Sequence, residues 1–149
     1  MIAIETQSWM AARDAAYAIR HAVFVEEQGI PAELEIDDYD PIAEHALAFV
    51  DGRCVATARI YLDEQDPSKA KIGRMAVLKE FRGQGIGTAL LGETIRVGMM
   101  QGASVFDLHA QQSAVPFYAK LQFKPDGAIF DEVGIPHQRM RLVLGAPAP

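Results

Sequence analysis

The sequence predicts a mixed α/β domain of the α+β kind, with one sheet flanked by helices. Asp51-Gly52 lies between two runs of alternating apolar residues, 45–50 and 53–62, and this pattern is a strong signal for a two-residue hairpin turn. Further along, short apolar runs alternate with segments of helical periodicity, which gives a β-α-β-α-β order. The 149 residues suit one core, so we expect a single domain over residues 1–149.

The other elements follow from periodicity and from capping residues. Residues 8–25 are expected to be helical because Ala12, Ala16 and Ile19 recur at helical spacing, with Ser8 as the N-cap. Ser113 is expected to cap a last short helix that holds Pro116 in its first turn. The remaining predicted strands are 2–4, 72–78, 105–110, 127–132 and 138–144; the remaining predicted helices are 85–100 and 114–121, and the tail 145–149 is expected to be disordered.

Composition narrows the class of protein. A net charge of −6 argues against a broad nucleic-acid surface, and no apolar run approaches the roughly 18 residues of a membrane span. The single cysteine, Cys54, cannot form an internal disulfide, which agrees with a reducing compartment. The first residues lack the basic and long apolar regions of a signal peptide. We therefore expect a cytoplasmic protein with no nucleic-acid or membrane partner.

The central motif is the glycine loop, residues 82–87 (Arg-Gly-Gln-Gly-Ile-Gly), which directly follows a predicted strand and precedes a predicted helix. Glycines let the backbone turn tightly and approach a ligand without a Cβ in the way. The first amides of a helix lack internal acceptors, and the helix dipole adds partial positive charge. Together these features form a site for phosphate oxygens.

Two familiar phosphate loops do not fit this motif. A P-loop requires Gly-Lys-Ser/Thr at its end, whereas Gly87 is followed by Thr88 and Ala89. A Rossmann fingerprint requires a third glycine that falls here on Thr88 or Leu90, and it belongs to the first βαβ turn of the chain. The alternative of an ordinary strand-to-helix turn stays open on this loop alone.

Two separated motifs resemble a known superfamily. Arg74-Met75-Ala76-Val77, followed by Arg82-x-x-Gly85-x-Gly87, resembles motif A of the GNAT superfamily of acyl-CoA N-acyltransferases. Residues 117–123 (Phe-Tyr-Ala-Lys-Leu-Gln-Phe) resemble its motif B, a tyrosine helix before a Gly-Phe strand, with Gln122 where glycine is usual. The motifs stand in the superfamily's order, and the order of elements agrees over roughly residues 45–144.

The resemblance implies a mixed, mostly antiparallel sheet that splays apart at strands 4 and 5. Acetyl-CoA would lie in the opening as co-substrate, and no metal is expected. The backbone of Met75, Ala76 and Val77 would bond the pantetheine arm as an added strand would. The amides that would hold the pyrophosphate are those of Arg82, Gly83, Gln84, Gly85, Ile86, Gly87 and Thr88.

The implied chemistry is direct attack of a neutral amine on the thioester. A backbone amide at Val77 or nearby would polarise the carbonyl, and Tyr118 would donate a proton to the leaving thiolate. Amines with a pKa near ~10 are mostly protonated at neutral pH, so a base is needed. Some members carry a glutamate on the fourth strand, but residues 71–74 contain no carboxylate. The candidate bases are Glu26, Glu27, His45 and His109; a water chain or a purely structural role for each is the alternative.

A second pattern lies in the first half of the chain. Arg20, Phe24, the acidic loop 35–40 and Arg59 are similar to the front half of acyl-homoserine-lactone synthases, which use S-adenosylmethionine as the amine and acyl chains from a carrier protein. The intact glycine loop, and the lack of a tryptophan after Phe24, argue against this reading. The structural alternative pairs Arg20 and Arg59 with Asp37 or Asp40. A loop that lines the cleft would instead favour a cationic amine.

The sequence thus favours an N-acetyltransferase that moves an acetyl group from acetyl-CoA to a primary amine of a small molecule or peptide. The competing class is a non-catalytic acyl-CoA sensor or interaction module, which the missing fourth-strand carboxylate leaves open. A homodimer is a further expectation, because related proteins commonly form one. The amine itself is set by loops that the motifs do not define.

Overall fold

The computed structural model describes residues 1–145. The strands are β1 (Ile2–Ser8), β2 (Glu44–Val50), β3 (Arg53–Leu62), β4 (Lys69–Val77), β5 (Val105–Gln111), β6 (Lys124–Pro125), β7 (Phe130–Glu132) and β8 (Ile135–Val143). The α-helices are α1 (Trp9–Arg20), α2 (Ile86–Met100) and α3 (Val115–Lys120). A π-helical segment covers His21–Glu27, and 3-10 turns cover Ala32–Leu34, Asp40–Ile42, Lys79–Phe81 and Gln112–Ala114.

These strands form one sheet in the order β1-β2-β3-β4-β5-β8-β6, with β7 paired to β8. Pairing is antiparallel except between β4 and β5, which are parallel. The β4–β5 ladder runs only from Lys69↔Val105 to Ile72↔Leu108, although β4 continues to Val77 and β5 to Gln111. The sheet therefore opens beyond this ladder, which confirms the predicted mixed, mostly antiparallel sheet splayed at strands 4 and 5.

Helices α2 and α3 cover one face of the sheet. Alternate residues of the central strands point to them, because successive side chains of a strand face opposite sides. The buried cluster on this face includes Ile60, Ile72, Phe106, Leu108 and Met140. Helix α1 packs over β2 and β3 on the other face, through Ala12, Ala16 and Leu47. The far end of that second face, at β5 and β8, carries mainly polar side chains.

Helix α2 approaches the sheet most closely at Gly98. A Cβ at this position would lie 2.5 Å from Cε1 of Phe106 and 2.7 Å from Cδ1 of Ile60. Gly98→Ala is expected to lower the free energy of unfolding by about 1–3 kcal/mol, because the buried Phe106 ring must move. Gly92→Ala, in the same helix with no atom within 4 Å, is expected to raise it by about 0.5–1 kcal/mol through helix propensity.

Urea unfolding of the two glycine variants checks this prediction. Equal stability of Gly98→Ala and Gly92→Ala would contradict the close contact between α2 and the sheet.

The N-terminal elements differ from the sequence prediction. The first strand extends to Ser8 rather than ending at residue 4, and α1 ends at Arg20. The chain continues as the π-helical segment, in which the amide of Gln28 reaches the carbonyl of Val23, five residues back. Ser8 holds the N-cap position, although its side chain makes no capping hydrogen bond. A π-helical turn leaves no periodic signature in seven residues, and such turns occur often at functional sites.

The C-terminal elements also differ. The strand predicted at 127–132 is shortened to Phe130–Glu132, since Gly127 adopts a φ of 84° outside the strand region, and the last strand begins earlier, at Ile135. Ser113 lies within a 3-10 turn and Ala114 takes the N-cap position, so the predicted cap was wrong, whereas Pro116 does stand in the first turn of α3. Of the predicted disordered tail, residues 146–149 lie outside the described residues.

The hairpin prediction is confirmed by Asp51 and Gly52, which have φ values of 50° and 85° between β2 and β3. Both residues of a type I′ turn need positive φ. Within residues 1–145, no helix combines the length and the apolar character needed to cross a membrane.

Candidate active site

A cleft of about 1080 Å³ opens where β4 and β5 separate. Its walls come from β4, the glycine loop, β5, α3 and the β7–β8 hairpin, with the acidic loop and β3 at one end. All the predicted donor-side residues line it except Gln84 and Ile86. Ile86 is buried in the core, and the Gln84 amide group donates to the carbonyl of Glu80.

The glycine loop turns into α2 through two left-handed residues. Gly83 and Gly85 have φ values of 77° and 81°, and neither has an atom within 4 Å of the position of a Cβ. The first helical hydrogen bond runs from the amide of Ala89 to the carbonyl of Gly85, so the amides of residues 83–88 are available to an outside acceptor. The predicted amide of Arg82 is not, because it donates to the carbonyl of Lys79 at 3.3 Å. The loop has the open space and the free donors that a phosphate group requires.

Strand β4 presents the backbone edge that the resemblance implied. Gly73, Ala76 and Val77 pair with β3 on one side, whereas residues 73–77 have no β5 partner on the other. A bulge lies opposite Ala58, where Arg74 adopts a φ of 49°. Bulges redirect side chains and often lie next to active sites. An extended ligand can therefore add to β4 through backbone hydrogen bonds.

Tyr118 enters the cleft from α3. Its residue is 9% exposed, and its hydroxyl lies 3.5 Å from Sδ of Met75 on β4. Burial raises the pKa of Tyr118 to about 12, so the hydroxyl keeps its proton throughout the physiological range. A protonated phenol that faces the β4 edge is placed to donate a hydrogen bond.

The π-helical segment is attached to both sides of the opening. Glu27 accepts two hydrogen bonds from the Arg82 guanidinium, at 2.8 and 2.7 Å, and Arg82 also donates to the carbonyl of Val77 at 2.9 Å. The side-chain amides of Gln28 and Gln111 exchange hydrogen bonds of 3.3 and 2.7 Å, which link the segment to β5. Arg82 therefore braces the glycine loop against β4 rather than offering a free guanidinium.

The four candidate bases occupy different surroundings. The hydrogen bond from Arg82 lowers the pKa of Glu27, and Glu26 points away from the cleft towards His21 at 3.4 Å. His45 is buried on β2, where it contacts the carbonyl of Asp40 at 3.0 Å and the ring of Trp9, and burial lowers its pKa. Among these four, only His109 lines the cleft, from β5.

Two further residues, Glu132 and His137, lie beside His109, and the sequence did not predict Glu132. Nδ1 of His109 lies 3.0 Å from Oε1 of Glu132, and Nε2 of His137 lies 3.5 Å from Oε2 of the same carboxylate. Both residues line the cleft from the β7–β8 hairpin. Only the pairing of β5, β7 and β8 brings these three side chains together, so spacing along the chain gave no signal.

The acidic loop is held by three arginines. Arg20 is fully buried and bonds Glu35 at 2.6 Å and Asp40 at 2.9 Å; Arg59 bonds Asp37 at 2.6 Å and Asp40 at 2.9 Å. Arg74 adds a contact to Asp37 at 3.1 Å. This arrangement matches the structural pairing weighed from the sequence, to which Glu35 and Arg74 are additions.

The arginines lower the pKa of the aspartates in this cluster. Burial alone would raise the pKa of Asp40, but hydrogen bonds from Arg20 and Arg59 outweigh it and lower the pKa to about 2. Burial would likewise raise the pKa of Asp37, but Arg59 and Arg74 outweigh it and lower that pKa. Although Asp37 lines the cleft, its charge is balanced by arginines, so the acidic loop offers a cationic amine little net attraction.

The sequence matches the Acetyltransferase (GNAT) domain over residues 14–144, and the chain belongs to the GNAT acetyltransferase family. A Bacillus subtilis (strain 168) protein named as an acetyltransferase is 38% identical over 128 residues, which are 84% of this chain and 85% of the relative. Membership of this family supports acyl transfer as the activity and acyl-CoA as a ligand.

Two solved structures bear on the two readings of the sequence. An acyl-CoA N-acyltransferase from Pseudomonas aeruginosa has a TM-score of 0.83 and 25% identity, covering 95% of this chain and 99% of its own. BjaI, a CoA-dependent acyl-homoserine lactone synthase solved with SAM and isopentyl-CoA, has a TM-score of 0.78 but 17% identity, with 97% and 84% covered. The likeness to BjaI therefore shows the shared fold alone.

Proposed function

We propose that this protein transfers an acetyl group from acetyl-CoA to a primary amine by direct attack. The observation that carries the proposal is the opened sheet, in which the unpaired edge of β4, the glycine loop and Tyr118 face one cleft. Acyl-CoA is a long ligand with a pyrophosphate at one end and a thioester at the other, and each part has a counterpart along this cleft.

On the donor side, the pantetheine arm would pair with residues 73–77 of β4 as an added strand does. The pyrophosphate would accept hydrogen bonds from the glycine-loop amides at the positive end of α2. The thioester would then lie near Tyr118. The proposed donor site therefore consists of Met75, Ala76, Val77 and the amides of residues 83–88, without the Arg82 amide, which is bonded to Lys79.

In the transfer step, the amine nitrogen forms a bond to the thioester carbonyl carbon. A β4 backbone amide, at Val77 or nearby, would stabilise the oxyanion. The carbon–sulfur bond then breaks, and the sulfur leaves as a thiolate that Tyr118 hydrogen-bonds. Because a thiol has a pKa near ~8.5, full transfer from a phenol at about 12 is uphill, so stabilisation by hydrogen bonding is the larger contribution.

Thiol release from acetyl-CoA, screened over a panel of amines, tests the proposal. We expect release that depends on an amine, with an N-acetylated product in the mass spectrum. Tight CoA binding without release for any amine would overturn it and would favour the acyl-CoA sensor. Bound CoA is measured in parallel by calorimetry, so that a failure of binding is separated from a failure of turnover.

The synthase reading remains a second candidate because Asp37 and Arg59 line the cleft and are bonded to the buried pair Arg20 and Asp40. It predicts lactone formation from S-adenosylmethionine with acyl carrier protein or acyl-CoA as donor. Acetylation of simple amines together with no lactone would exclude it. The cytoplasmic location, the homodimer and the single domain over 1–149 stay predictions.

A further inference from the structure

His109 and Glu132 form a histidine–carboxylate pair inside the cleft. Nδ1 of His109 lies 3.0 Å from Oε1 of Glu132, and the His109 side chain is 51% exposed. A carboxylate accepts a hydrogen bond, so Nδ1 carries the hydrogen and Nε2 keeps its lone pair. The His109 ring, which carries this Nε2, lines the same cleft as Tyr118.

His137 stands beside the opposite oxygen of Glu132. Its Nδ1 donates to the carbonyl of Ile135 at 2.8 Å, since a carbonyl oxygen only accepts. Its Nε2 lies 3.5 Å from Oε2 of Glu132. The Phe130 ring packs against both histidines, with centroid distances of 5.1 Å to His109 and 6.0 Å to His137. Glu132 therefore lies between the two histidines and bonds the ring of His109.

The β7–β8 turn brings Glu132 to this position. Val133 and Gly134 connect the strands with φ values of 48° and 77°, and Asp131 accepts a hydrogen bond from the Gly134 amide at 3.2 Å. A β-branched residue at positive φ is uncommon and costs energy. Val133 directly follows Glu132 and also lines the cleft.

We propose that His109 is the general base of the reaction and that Glu132 is its positioning residue; this rests on the proposed function. As the amine nitrogen bonds to the thioester carbon, its proton passes to Nε2 of His109. The resulting imidazolium is stabilised by Glu132, while the carbon–sulfur bond breaks at Tyr118. The proton later leaves His109 to solvent.

The other charged groups near His109 come from each neighbouring strand. Arg139 stands opposite it on β8, Asp107 precedes it on β5, and Lys71 and Arg74 line the cleft from β4. Asp107 is engaged by Arg141 at 2.7 and 3.0 Å. Glu132 is thus the carboxylate in direct contact with the His109 ring.

The test is the pH dependence of kcat at saturating amine and acetyl-CoA, because kcat/KM for the amine also reports the ionisation of the free amine. His109→Gln is expected to lower kcat by about 10²–10⁴-fold and to remove the acid limb of the profile. Glu132→Gln is expected to retain that limb but to move it to lower pH, because the neutral amide does not stabilise a protonated ring. The KM for acetyl-CoA is expected to stay unchanged in both.

His21→Gln is the matched control, because His21 also contacts a glutamate, at 3.4 Å, but does not line the cleft. Wild-type kcat and an unaltered pH profile in His109→Gln would overturn the base assignment and leave the proposed function intact. Absence of amine-dependent turnover in the wild-type protein would instead remove the proposed function, and this inference with it. Circular dichroism of each variant separates loss of fold from loss of chemistry.

Discussion

Asp40→Asn is expected to lower the free energy of unfolding by about 3–5 kcal/mol, the range for breaking one partner of a buried ion pair. Four donors converge on the Asp40 carboxylate: Arg20 twice, at 2.9 and 3.0 Å, Arg59 at 2.9 Å and the amide of Asp37 at 3.1 Å. An asparagine can accept at one atom only, and its NH₂ group would face two of these donors. Buried arginine charge would lose its compensation.

Urea unfolding checks this value against Asp51→Asn. Asp51 is exposed in the β2–β3 turn, where an Asn-Gly pair is equally suited, so this control is expected to change stability by less than about 0.5 kcal/mol. Equal stability of Asp40→Asn and the control would contradict the account of the acidic loop.

The same carboxylate also makes stability depend on pH. Its pKa falls from 3.8 to about 2 on folding, so the folded state favours the ionised form. The stabilisation is present above pH 5 and is lost as the pH falls through 3.8 towards 2, which amounts to about 2 kcal/mol from this group. Asp40→Asn is expected to flatten that part of the stability profile, measured by unfolding at pH 5, 4 and 3.

Tyr118→Phe is expected to lower kcat for acetyl transfer by about 10²–10³-fold, the range for losing one hydrogen-bond donor to a developing charge, with little change in the affinity for acetyl-CoA. The hydroxyl has only a 3.5 Å contact to the Met75 sulfur, so its removal costs little folding energy. Its pKa of about 12 means that the hydroxyl donates at every pH below that value. The loss is therefore expected to be the same at pH 7 and pH 9.

Steady-state kinetics with Tyr17→Phe as control measures this effect. Tyr17 lies on α1 near His21 and does not line the cleft. A Tyr118→Phe enzyme with wild-type kcat would show that the leaving sulfur needs no donor from α3.

The cleft walls formed by the glycine loop and α3 could be predicted because their determinants are local. A glycine loop between a strand and a helix is continuous in sequence, and residues 117–123 place Tyr118 by helix geometry alone. The Arg20, Arg59 and Asp40 cluster was also within reach, because buried arginines must pair with the available carboxylates. The bulge at Arg74 and the π-helical segment left no trace in the residue pattern.

The cleft wall formed by β5 and the β7–β8 hairpin could not be predicted, since it depends on long-range strand pairing. Glu132 is 23 residues from His109 in sequence and reaches it only because β7 folds back on β8. The sequence predicts strands at 127–132 and 138–144, but the tight turn at Val133 gave no signal because valine rarely adopts positive φ. The sequence therefore placed His109 among the candidate bases but did not predict its contact with Glu132.

A crystal structure with bound CoA tests the central claim most directly. We expect the pantetheine arm to pair with residues 73–77 of β4, the pyrophosphate to lie against the amides of residues 83–88, and the sulfur to approach the Tyr118 hydroxyl. CoA bound outside the β4–β5 opening, or with its sulfur at the far end of the cleft from Tyr118, would contradict the account.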